Sequence, residues 1–244
     1  KEAVAISHGK SFSLDSSRQQ LLLLQQLDFP PHNVAAGVAV FDRALRRLPL
    51  QSKRWEPRYV FLFSGHMVDA PGRDTPRFTE DMVAAAGEKI AAVLAELDAG
   101  PDDLALTQGA CGGDLLFTEA CQALGTKVSW LQPFDEPEFM RRSVIRCGEH
   151  WRPRYLAAAQ GVGQAILSAP RELGDPPPFA EDGYPYERCN HWLLDTALAW
   201  GVERVHFVCL WNGGGGDGPG GTAHMYEEVA KRSGQVHWID TREL

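Results

Sequence analysis

The stretch Arg58-Tyr59-Val60-Phe61-Leu62-Phe63-Ser64-Gly65-His66 decides the fold. Tyr59 to Phe63 is an unbroken apolar run that stops at Ser64-Gly65. A strand with one face in water would alternate apolar and polar residues, so this run predicts a strand buried on both faces. Working outward, Thr79 to Leu97 places Met82, Val83, Ala86, Ile90, Val93, Leu94 and Leu97 at helical spacing and ends before Gly100-Pro101. The alternation then continues. Strands are expected at 104–107, 127–131, 164–167, 205–210 and 236–240. Helices are expected at 114–124, 136–159 with a break at Pro153, 186–200 and 222–233. Strand and helix in strict turn predict an α/β fold, Rossmann-like and doubly wound, with a mainly parallel sheet and helices on both faces.

Upstream of residue 58 the pattern is different. Residues 16–27 and 34–48 read as two helices, the first ended by Pro30-Pro31, in an N-terminal extension or linker of residues 1–57. That segment carries eight Lys/Arg against five Asp/Glu, whereas residues 58–244 carry sixteen against twenty-seven. A net charge of −8 over 244 residues argues against a long nucleic acid as partner. The longest apolar run of the extension, Leu21 to Leu24, is far too short to span a membrane. Five cysteines without a C-x-x-C pair read as reduced thiols of a cytoplasmic protein, with no metal site and no cofactor expected. A start at Lys1 without a signal-peptide pattern reads as a piece of a longer polypeptide.

In doubly wound sheets ligands bind in the loops beyond the carboxyl ends of the strands. Three such loops carry chemistry. The first, Ser64 to Arg73, offers Ser64 and Gly65 for close backbone approach, His66 for a hydroxyl or proton, and Arg73 for a phosphate or carboxylate. The second, Gly109-Ala110-Cys111-Gly112-Gly113-Asp114, opens a helix. It reads either as an anion site of loop and helix amides or as a turn in which Asp114 caps the helix. The third runs from Trp211 to Thr222, with six glycines among the eight residues 213–220. Such density costs backbone entropy that a plain connection would not require, and it predicts a phosphate cradle of Gly218, Gly220, Gly221 and Thr222. Arg142, beside Phe134, Phe139, Arg141 and Ser143, is a further candidate to reach a phosphate, and Asn190 or Trp192 to contact a base.

Taken in order, Ser64-Gly65-His66…Arg73, then Gly109-Ala-Cys-Gly-Gly-Asp-Leu-Leu-Phe-Thr-Glu119, then Leu131-Gln-Pro-Phe134, then Asp217-Gly-Pro-Gly-Gly-Thr222, residues 58–244 resemble the SLOG superfamily. That group joins the DNA-processing protein DprA, the LOG-type phosphoribohydrolases and nucleotide-sensing domains of bacterial signalling and conflict systems. The resemblance implies a domain that binds a nucleotide or nucleotide-derived molecule, ADP-ribose-like or a second messenger, as the sensor of a larger protein. Its partner would be the upstream region of the same polypeptide, and homo-oligomers fit the pattern. Two alternatives accompany it: a LOG-like hydrolase of nucleoside monophosphates with Glu227 or Glu228 as the catalytic acid, and a non-catalytic oligomerisation scaffold. The LOG motif places an acid three residues after its threonine, where this chain has Met225, so the sensor reading is preferred.

Overall fold

The structure, a computed structural model, describes residues 18–22, 31–47, 55–162, 166–177, 183–215, 220–232 and 235–244. Gly218 and the rest of 216–219, most of the first expected helix, and residues 164 and 165 of the fourth expected strand lie outside the described residues. The chain divides into two compact units, Lys1–Trp55 and Glu56–Leu244. In the first, α1 (Pro31–Arg47) buries Val34 and Phe41, two turns apart on one face. Pro31 opens this helix, where its missing N–H and fixed φ do no harm, and the expected end of the first helix lies outside the described residues. Residues 18–22 are helical, Leu21 faces Gly37, and Arg18 pairs with Asp42 at 2.5 Å.

The second unit is built on six parallel strands: β1 (Val60–Gly65), β2 (Leu104–Thr107), β3 (Lys127–Gln132), β4 (Leu167–Ser168), β5 (Val205–Trp211) and β6 (Val236–Asp240). Their order is β4-β3-β2-β1-β5-β6. The sheet therefore grows one way from β1 to β4, then returns to β1's other side for β5 and β6. Right-handed crossovers put the connecting helices of the two halves on opposite faces. Side chains of β1 follow suit. Phe61 and Phe63 join the core formed with α2 (Val83–Glu96) and α3 (Gly113–Ala123), where Phe63 stacks on Phe117 at 4.6 Å. Val60 and Leu62, equally buried, point the other way, toward the face covered by α7 (Tyr184–Leu198) and α8 (Thr222–Arg232).

One expected helix is rebuilt. Residues 136–159 form a short α4 (Glu136–Phe139), a widened turn at Met140–Val144, a tight turn at Ile145–Cys147, and then α5 (Trp151–Gln160). The departure from α geometry begins at Met140, thirteen residues before Pro153. That proline occupies the first turn of α5, where a helix needs no N–H from it. A five-residue α6 (Ala169–Leu173) follows β4. The expectation of five reduced thiols is corrected at two positions: Cys111 and Cys147 form a disulfide, while Cys121, Cys189 and Cys209 are free and buried. Thirty-six residues of separation leave no local signature of that pairing. Among the described residues, no helix is long and apolar enough to cross a membrane.

Candidate functional site

The switch in strand order lies at β1, and the loops beyond β1, β2 and β5 converge there. Between them opens a cavity of about 660 Å³. Ser64, Gly65 and His66 form its floor, Gln108, Ala110 and Asp114 one wall, and Gly220 to Ala223 at the start of α8 another. Tyr186 and Asn190 of α7 and the segment Arg141–Arg146 complete it. Among the described residues, four arginines (Arg77, Arg141, Arg142 and Arg146) line this space against a single carboxylate, Asp114. In a chain of net charge −8 that is a local reversal of sign, able to concentrate an anion.

The first loop is held in place from both sides. The amide of His66 donates to the Leu210 carbonyl, and its Nε2 lies 3.2 Å from Asn212 Oδ1 and 3.3 Å from the Asn212 amide nitrogen. His66 is buried, and the imidazole expected to meet a ligand also joins the first loop to the third. Arg73 lines a separate cleft on the outer side, where its Nε reaches the Thr75 carbonyl at 3.1 Å and Asp69 at 3.4 Å.

The second loop uses its amides internally. Gly109 and Ala110 N–H donate to Asp114 Oδ2, each at 3.2 Å. Cys111 N–H donates to the Ser143 carbonyl and Gly113 N–H to the His66 carbonyl. Gly112 is the N-cap of α3, at φ +84°. A Cβ there would stand 2.7 Å from the Val68 nitrogen and 2.9 Å from the His66 oxygen. The glycines of this loop thus bring two backbones together, and of Gly109, Gly112, Gly113 and Asp114 only Asp114 reaches the cavity. Burial raises the Asp114 carboxyl to about 6, opposed by the hydrogen bonds it accepts from Ala110 and its neighbours.

The third loop presents a helix start. Met225 N–H donates into the α8 ladder at the Gly221 carbonyl, so the amides of residues 221–224 precede the ladder and point out of the helix end. Gly221, Thr222 and Ala223 line the cavity. Gly220 is fixed by its surroundings: its carbonyl accepts from Asn190 Nδ2 at 2.8 Å, and Asn190 Oδ1 accepts from Gln108 Nε2 at 2.9 Å. Glu227 is exposed on the far side of α8, and Glu228 is paired with Lys231 and Arg232. Neither acid lines the cavity.

The remaining wall carries most of the cations. Arg141 and Arg142 share one partner, Glu138, whose carboxyl their guanidinium hydrogen bonds hold down at about 2. Arg142 also lies 4.9 Å over the Phe134 ring, which meets Tyr186 edge-on. Arg146 is exposed, with no ion pair or hydrogen bond among the described residues. The Cys111–Cys147 disulfide and the Cys111–Ser143 hydrogen bond fasten this arginine segment to the second loop. Arg142 is a candidate from the sequence alone, whereas Arg77, Arg146, Gln108 and Tyr186 emerge as cavity residues only in the fold. Their spacing is set by the tertiary path of the chain, and only the local excess of arginine at 141–146 was visible beforehand. Trp192, a candidate base contact from the sequence, does not line the cavity.

The chain matches no family model and no curated protein.

Proposed function

We propose that residues 56–244 bind a nucleotide-derived anionic small molecule, ADP-ribose-like or a second messenger, as the sensing domain of a larger protein. The reading follows the SLOG resemblance, and one observation carries it. A cavity at the sheet's switch point holds four arginines and a helix N-terminus in an otherwise acidic chain. Phosphates suit that combination because guanidinium groups and outward-pointing amides both donate to their oxygens. Polar side chains able to read a base or sugar, Gln108, Asn190 and Tyr186, share the same space. A sensor is favoured over a phosphoribohydrolase because Glu227 and Glu228 lie away from the cavity. The segment upstream of residue 56 would lead to the region that receives the signal.

Titration calorimetry of mononucleotides, ADP-ribose and cyclic dinucleotides, with chromatography of the products, tests the proposal. Saturable binding with the ligand recovered intact is the expected result. Release of free base would replace the sensor with a hydrolase, and absence of binding across the panel would remove the nucleotide reading.

A further inference from the structure

The cavity's anion-binding groups form two clusters, and one side chain measures the gap between them. The first cluster is the start of α8. Gly220 sits directly on the near end of Tyr186, so closely that a Cβ on the glycine would lie 2.7 Å from the tyrosine Cβ. The second is the ledge of Arg141, Arg142 and Arg146. Ser143, in the middle of that ledge, meets the far end of the same tyrosine, Oγ to hydroxyl at 3.2 Å. The backbone segments that carry the two clusters, at Gly220 and at Ser143, therefore stand about one tyrosine side chain apart, farther than the two phosphorus atoms of a diphosphate. Among the described residues the ledge is not neutralised. Two of the ledge guanidinium groups share the single carboxylate of Glu138, and the third, Arg146, has no charged partner among the described residues.

From this spacing we infer that the ligand carries two phosphate groups on separate sugar oxygens, one for the α8 N-terminus and one for the arginine ledge. A single phosphate would satisfy one cluster and leave the other to water. A directly joined diphosphate would crowd both charges at one end. The inference rests on the nucleotide reading of the site, and the test separates the two.

The full chain is titrated with the 5′-monophosphate, the 5′-diphosphate and the 3′,5′-bisphosphate of each of the four common ribonucleosides, at one fixed ionic strength. For the preferred base, the bisphosphate is expected to bind about tenfold more tightly than either competitor, the increment of one added set of charge-assisted hydrogen bonds. Arg146→Ala, at an exposed position, is expected to fold normally and to erase the bisphosphate's advantage. A diphosphate or monophosphate that binds as tightly as the bisphosphate would overturn the two-site spacing while leaving a nucleotide site. Failure of all twelve compounds to bind would overturn the two-phosphate inference, and failure of ADP-ribose and the cyclic dinucleotides as well would overturn the nucleotide reading. An advantage that survives in Arg146→Ala would exclude that arginine from the second phosphate contact and overturn the ledge assignment.

Discussion

Asp114 shows how a single residue can serve structure and ligand at once. It closes the second loop by accepting two amide hydrogen bonds, and it is the only carboxylate among the described residues that faces the cavity. Its carboxyl is raised from 3.8 to about 6 by burial, so the folded protein holds that proton more tightly than the unfolded chain. Stability from this group is fully present below about pH 4 and is lost as pH rises toward 6, by up to about 3 kcal/mol. Asp114→Asn keeps an amide-accepting oxygen and should abolish this slope, which thermal melts between pH 4 and 7 will show. An anionic ligand should also bind more weakly to the wild type as Asp114 ionises, and the asparagine variant should lack that dependence. Gly220 is constrained differently. At φ +86°, with Tyr186 and the Glu187 backbone against any added Cβ, Gly220→Ala should cost roughly 1–3 kcal/mol in chemical denaturation whether or not ligand is present. The third loop's glycine density had suggested only ligand contact, and nothing local in the sequence announced the tyrosine packed beneath it.

At the scale of elements, the strands and most helices were legible because the sheet is buried on both faces. Phe61 and Phe63 serve one core and Val60 and Leu62 the other, which produces the continuous apolar run that marked β1 from the start. The segment between β3 and α5 was not legible. Its residues keep helical composition, yet they wind as an α turn, a widened turn and a tight turn, which turns Arg142 and Ser143 toward the cavity. The disulfide at its end joins residues 36 positions apart, and a bond of that span depends on how the intervening chain returns. Replacing both Cys111 and Cys147 with serine, or reducing them, should lower unfolding free energy by roughly 2–4 kcal/mol in urea titrations. It should also weaken anion binding, because among the described residues the arginine segment would then be hydrogen-bonded to the second loop only through the Cys111 amide and the Ser143 carbonyl.

At the scale of the molecule, every residue lining the cavity belongs to the unit Glu56–Leu244, which has its own two-sided core. A fragment of residues 56–244 should therefore fold and bind with the affinity of the full chain, as parallel titrations will show. Of the candidate site, the convergence of three loops followed from strand order, whereas the division of labour among them did not. His66 and Arg73 looked like ligand groups because they follow a strand. The fold keeps His66 in the cavity floor while tying it to Asn212, and aims Arg73 at the outer cleft, since loops that must pack on one another use their polar side chains to do it. The hydrogen-bonded chain Gln108–Asn190–Gly220 has a mechanical consequence. Asn190 and Tyr186 belong to α7, fifteen residues long and therefore about 22 Å from end to end. Gly220 bears on this stiff rod at Tyr186, in its first turn, and at Asn190, near its middle, so a displacement of Gly220 would be carried along it toward Leu198, at the end away from the cavity.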